Sequence, residues 1–519
     1  MRLLPALPLC ALLCATTPVA ADITAPELYS ALEGAARAAG GTLSARDQAS
    51  PGKLVLREVT FADRDGTRIV FGPVTLTETP DRAVIVTLPE RFDLTVLPAP
   101  RLAPGAVRQI VFTVAMPGFE ARIRGLAAKD AGVEIKAASV SVTLDRVEPA
   151  LPAGQSLSFA LAAADLALVW DQEPRDGIER LTARADLGTV HADLSYLLLD
   201  PAKGRSRGEI VFDLAGLTAG VDVALPPELT GPRSTVGRDA AEFLHVLGLG
   251  TKVDLSAATR AFALTGSVEE PSGAQDGGPI RFEAQAESSG ARLGIDATAI
   301  DYASSLGKGR LRITGKIPDQ PLDDVGLSWD GYRSSLRMGL GTMVDPQPWS
   351  MGLDLLGVSL SDQLWALADP KSALPHDPAT LIVNLSGKYA ADRKALAPGG
   401  WQTGEDMPLS ALSVALDKVL LSALGVEITA DGALDLDFSA MKTPADPPEP
   451  VGSVSMLTKG TNALLERLSA SGLLSAEELQ SLRFGLLFIG RAGAAPDTLE
   501  TTMEFGKGGS FTLNGQRIK

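Results

Sequence analysis

Cysteine is nearly missing from this chain. Its 519 residues include only two, Cys10 and Cys14, and both fall within the first 21 positions. Beyond that point no disulfide, thiol nucleophile or thiolate metal site can form. Histidine is almost as scarce: His191, His245 and His376 stand far apart, and none sits in an H-E-x-x-H spacing. No phosphate-binding G-x-x-x-x-G-K-[ST] loop and no dinucleotide fingerprint follows a strand. Ser305 and Lys308 match S-x-x-K, but Gly307 opposes the helix that such a serine needs. "DRDG" at 63–66 opens like a calcium loop, yet the later oxygen ligands and closing Glu do not follow, so a turn explains it better. No catalytic set, no cofactor and no metal centre is expected.

Basic runs are missing too. Lys and Arg number 47 against 63 Asp and Glu, a net charge of −16, which argues against nucleic-acid binding. Aromatic residues make up only 5%, while Gly (52) and Pro (35) are frequent, so short elements joined by turns are expected. No apolar run of about 18 residues occurs, so no transmembrane helix is expected in the mature chain.

The first 21 residues read as a secretory signal. Arg2 supplies the positive start, Leu3 to Leu13 is apolar but short, and Val19-Ala20-Ala21 suits cleavage before Asp22. The expectation is an exported, periplasmic protein. Without Arg2, 46 basic residues face 63 acidic ones, a net −17.

A helix follows. Thr24 and Glu27 form a capping box, Pro26 suits the first turn, and Gly40-Gly41 ends it. After it, a period of two dominates: Val140, Val142, Leu144; Leu157, Phe159, Leu161; Leu336, Met338, Leu340; Leu381, Val383, Leu385; Leu434, Leu436, Phe438. Apolar residues alternating with polar ones predict half-buried antiparallel strands. Asp65-Gly66, Asp176-Gly177 and Asp330-Gly331 read as turns between them. The stretches 56–76 and 416–436 share several apolar and Gly positions, consistent with a recurring strand meander. "EEPSGAQDGGP" (269–279) suggests a boundary, giving strand-rich halves 22–270 and 271–519.

Near the end the period changes. Leu464, Leu465 and Leu468 line one helix, Gly472 stops it, and Ser475 with Glu478 caps a second whose apolar face is Leu479, Leu482, Leu486 and Ile489. The spacing predicts an αα-hairpin over 460–490. A closing β-hairpin then carries Phe511, Leu513 and the positive-φ pair Asn514-Gly515. The fold class expected is α+β, mainly antiparallel β, as long curved sheets or two sheet-based halves with this C-terminal helical hairpin.

One loop is unusually stiff. Ser361 can cap a short helix bearing Trp365, after which Asp369-Pro370, Leu374-Pro375 and Asp377-Pro378 restrict the backbone. Trp365, Asp369, Pro370, Pro375, Asp377 and Pro378 form a candidate recognition loop; a connection that must span the sheet edge is the plainer explanation.

The segment from Trp365 to Pro378, "PVGSVSMLTKGTNALLERLSASGLLSAEE" (450–478) and "FTLNGQRI" (511–518) together resemble a set of exported alphaproteobacterial proteins grouped as domain of unknown function 2125. The likeness is strongest from about residue 325 onward. It implies an exported, strand-rich protein and brings no catalytic residues. In texture the chain is also similar to larger envelope proteins of the AsmA type, which carry lipid along β-sheet grooves. The expected function is a non-enzymatic envelope protein holding lipid or another apolar ligand in a sheet groove. The alternatives are a protein–protein scaffold or envelope assembly factor, and a hydrolase assembled across the fold around one of the histidines.

Overall fold

The computed structural model describes residues 23–64, 67–97, 107–125, 131–175, 178–200, 204–226, 229, 240–269, 278–316, 323–392, 409–438 and 447–519. The signal segment and the turns at 65–66 and 176–177 lie outside them, as does most of the 269–279 boundary. The described residues hold five helices: α1 (Ala25–Ala38), α2 (Ala240–Gly248), α3 (Asp362–Ala368), α4 (Thr461–Ala470) and α5 (Ala476–Ile489). Strands make up most of the rest, and their pairings are antiparallel. The chain forms two compact units, one of residues 1–227 with 255–283, the other of 228–254 with 284–519.

In the first unit, α1 starts where Thr24 and Glu27 complete the capping box. Its Leu28, 1% exposed, meets Leu54, Leu56, Leu76, Val84, Ile123 and Ile135 in one core. Four long strands follow: Ala131–Glu148, Ser156–Arg175, Ile178–Asp200 and Gly204–Leu225, each hydrogen-bonded to the next. Their apolar residues shift phase by one position along a shared line. Leu161 and Ala163 give way to Leu166 and Leu168, and Phe212 and Leu214 to Leu217 and Ala219. At that line Asp165 and Gly216 take φ of 55° and 62°, settings that interrupt strict alternation.

The second unit is largely a meander. Strands Ser289–Ile295, Ala299–Leu306, Gly331–Gly339, Gln347–Leu360, Ala379–Ala391, Leu409–Ala423, Val426–Asp437, Glu449–Lys459, Thr498–Gly506 and Ser510–Leu513 pair in that order. Asp330-Gly331 is not a hairpin turn. Gly331 faces Leu356 and Leu327 faces Leu360, so the strand continues past this point against the same partner. A tight turn does form at Leu424-Gly425, with φ of 57° and 76°. The stretches 56–76 and 416–436 fold differently: the first crosses three short strands and the second a single hairpin.

The C-terminal helical hairpin forms as its caps dictate. Gly472 takes φ 79°, and the Leu473 amide donates to the Leu468 carbonyl at 2.9 Å, closing a Schellman motif. Ser475 and Glu478 complete their capping box. The final hairpin locks α5 in place. Asn514 (φ 50°) accepts from the Thr502 amide at 2.8 Å, and its side-chain amide donates to the Ile489 carbonyl at 2.7 Å. Arg491 also donates to the Asn514 carbonyl. Asn514→Ala should cost about 2–3 kcal/mol, from two lost side-chain bonds and left-handed backbone strain. Urea unfolding checks this against Asn514→Gly, which relieves the strain but not the lost bonds and should cost less.

Candidate functional site: an uncovered apolar sheet face

The meander's register assembles a surface that no single strand reveals. Leu293 faces Tyr302, Tyr302 faces Leu336, Leu336 faces Met351, Met351 faces Leu385 and Leu385 faces Leu416. Past Gly432 the same row runs through Val454 and Met503 to Leu513. A parallel row, two residues along each strand and three along Leu409–Ala423, holds Leu353, Val383, Val419, Ala430 and Met456. A third holds Leu306, Tyr332, Leu355, Leu381, Leu421 and Ile428. With strands about 4.8 Å apart, the first row runs on the order of 40 Å along the sheet.

The rows stay aligned because a bulge absorbs one extra residue, Asp417. Leu416 and Val419 both face this side, opposite Leu385 and Val383, with Asp417 and Lys418 exposed between them. The other face is polar: Asp301, Arg337, Ser350, Ser386, Ala415, Ala433, Ser453, Glu504 and Thr512 form its matching row. Arg337 pairs with Asp301 there at 2.9 Å. The sheet is thus amphipathic across its full width.

Among the described residues, helices cover only the margins of the apolar face. Along one side, Phe243, Leu244 and Leu247 of α2 pack with Ile300, Met338, Trp349, Tyr389 and Leu412. On the other, α5 ends against the last strands, where Thr501 donates to the Ile489 carbonyl. Between these margins Tyr302, Leu306, Met351 and Leu421 remain 39–40% exposed. Large apolar side chains in a continuous sheet normally find a covering layer. At one end of the face the Ser304 and Ser334 hydroxyls bond the Tyr332 phenol and hold its pKa below the ordinary value.

The proline-stiffened loop lies in the connection between Gln347–Leu360 and Ala379–Ala391, which are themselves paired. It is a long hairpin connection rather than a span across a sheet edge. Ser361 does not cap α3 with its side chain: its hydroxyl donates to the Asp324 carbonyl and accepts from the Gly326 amide, tying α3 to a neighbouring strand. Asp369 is 1% exposed and accepts from the Ala373 and Leu374 amides at 3.0 and 2.7 Å. His376 Nε2 lies 3.4 Å from the same carboxylate, and its ring stacks on Trp365 with centroids 4.3 Å apart. Pro375 and Arg467 of α4 close over the Gly425 turn; a Cβ there would stand 3.2 and 3.0 Å from them. Pro370, Asp377 and Pro378 are exposed.

The Leu374 amide, helped by that of Ala373 and by His376, holds the Asp369 carboxyl below its usual range against the opposing effect of burial. A lowered folded-state pKa means stabilisation that is full above about pH 4 and lost as pH falls through the folded value. Asp369→Asn should therefore destabilise the protein more at pH 7 than at pH 3. Denaturant titrations at both pH values check this; an equal loss at each would show that the carboxylate's charge is not what holds the loop.

Two histidines do meet carboxylates: His376 with Asp369, and His191 with Asp213 at 2.7 Å. The second pair sits exposed on neighbouring strands. Triad chemistry would also need a nucleophile on the far side of the imidazole. A G-x-S-x-G spacing does occur at Gly204 to Gly208, a signal legible in the sequence. Ser206 faces Leu198 inside a regular antiparallel pair, not on the strand-to-helix turn that exposes such a serine. Among the described residues no group of three or more His, Cys, Asp or Glu side chains is placed to hold a metal ion.

No protein-family model, curated protein or solved structure matches this chain. Among the described residues no helix is long and apolar enough to cross a membrane, a statement that does not bear on strands.

Proposed function

We propose that this chain is a non-enzymatic protein of the cell envelope that holds a lipid, or another long apolar molecule, along the open sheet face of its C-terminal unit. The observation that supports this most is the row from Leu293 to Leu513, apolar at every strand but Gly432, with Tyr302 and Met351 on its second and fourth strands each 40% exposed. Its length, on the order of 40 Å, exceeds the ~15 Å that one acyl chain spans in half a bilayer core. The face would take the tail, and the hydroxyls at Tyr332, Ser304 and Ser334 offer a polar end for a headgroup. Burying an acyl chain contributes about 0.8 kcal/mol per methylene, which suffices without catalytic groups. An exported, periplasmic location fits the N-terminal segment and belongs to the same reading.

The test is organic extraction of the purified protein followed by mass spectrometry, with displacement of an environment-sensitive fatty-acid probe alongside. A reproducible apolar ligand at near one per chain is expected, together with saturable probe binding. A protein that carries no ligand and ignores the probe would sink the proposal.

A further inference from the structure

Helix α5 carries apolar residues on all sides of its second half, and none of its fourteen residues is fully buried. Phe484, Leu487 and Phe488, at i, i+3 and i+4, stand 76%, 73% and 68% exposed. Leu482 and Ile489 beside them are each 46% exposed. A helix that is apolar all round belongs in a core or in lipid, and a soluble surface rarely holds two such exposed phenylalanines together. The stripe is also held rigidly, because the Ile489 carbonyl at its end accepts from both Thr501 and Asn514.

We infer that this end of α5 docks on a zwitterionic lipid bilayer, with Phe484, Leu487 and Phe488 entering the interface. Area argues against a second copy of the chain. Three side chains of this size, mostly exposed, offer on the order of 400 Å², about half of the ~800 Å² that each partner of a stable protein interface contributes. A bilayer needs no complementary surface, only side chains that can enter it. Charge selects the lipid. The stretch from Phe484 to Gly490 carries no charge, and the flanking cations are engaged: Arg483 with Glu466 at 2.8 Å, Arg491 with the Asn514 carbonyl. With a whole-chain charge of −16, anionic headgroups repel rather than recruit the protein.

The test is flotation of the purified full chain with phosphatidylcholine vesicles, and with vesicles in which phosphatidylglycerol replaces half of that lipid. Binding to the first and weaker binding to the second are expected. The triple variant Phe484→Ser, Leu487→Ser, Phe488→Ser should lower partitioning at least about tenfold. Its extracted lipid should match that of the unaltered chain, which keeps this inference separable from the sheet-face reading. Phe488→Trp in the otherwise intact chain is a second probe: brominated phosphatidylcholine should quench its emission more than that of the unaltered chain. Unchanged partitioning of the triple variant, binding that requires phosphatidylglycerol, or no added quenching in the Phe488→Trp variant would overturn it. So would a dimer in light scattering that the triple substitution dissolves, which would make a second copy the occupant.

Discussion

Leu76→Ala will lower the stability of the N-terminal unit by about 2–5 kcal/mol. Leu76 is fully buried, 0% exposed, in a strand paired on both sides: it faces Leu54 on one neighbour and Val86 on the other. Above it Leu28 of α1 belongs to the same cluster. α1 is fixed independently by its capping box and by the Ala25 amide, which donates to Glu78 at 2.9 Å. With walls held on three sides, the space left by the removed carbons cannot collapse, which places the cost in the upper part of that range. Trp170 is the only tryptophan of this unit and packs against the same cluster. Replacing the other four with Phe lets urea unfolding be followed at Trp170 alone. A loss below about 1 kcal/mol would mean that α1 can settle into the gap.

If the proposed sheet-face function holds, Met351→Glu will abolish apolar-ligand binding to the C-terminal unit while leaving the fold intact. Met351 lies inside the longest row, between Leu336 and Leu385, and is 40% exposed. In the free protein a carboxylate there reaches water and costs little, within about 1 kcal/mol. Under an acyl chain the same carboxylate would be buried without a partner, a penalty of several kcal/mol. Probe affinity should therefore fall at least about a hundredfold. Ser350→Glu, one residue away, points to the polar face opposite Arg337 and should leave affinity unchanged. Equal affinities in the two variants would remove the sheet face as the binding surface.

Features set within a few residues were legible in the sequence. Thr24 with Glu27, Ser475 with Glu478, Gly472 and Asn514-Gly515 each act over at most about six positions, and each adopts the expected geometry. The period of two revealed half-buried strands, since it depends only on one face being wet. The rows were not legible, because they depend on register. Nothing local announces that Asp417 bulges out, or that Leu424-Gly425 turns without an Asn or Asp. Asp330-Gly331 misled for the reverse reason: the dipeptide suits a turn, but pairing to the strand Gln347–Leu360 holds it extended on both sides.

The candidate loop was legible as stiff but not as inward-facing. Asp369 looks like any surface carboxylate until Ala373, Leu374 and His376 fold back over it. Its partners are only four to seven residues away, so an Asp just after a helix with a proline-rich return was the available signal. In α5 the expected face of Leu479 and Leu486 is half-buried. Leu482 and Ile489 instead stand exposed with Phe484, Leu487 and Phe488, because the helix touches the sheet along a narrow line near its C-terminal end.

The meander also governs the order of folding. From Gly331 to Leu513 each long strand pairs with its predecessor in the chain, so loops close over short separations and each hairpin can template the next. Helix α2 is the exception. Its Leu247 packs on Leu340, Met343 and Tyr389, which come roughly 90–140 residues later. The sheet can thus grow strand by strand from either direction, while α2 must wait for the far side of its cluster to exist. By loop-closure cost, docking of α2 is expected to come late in this unit, and without it the apolar face would be open along that margin as well.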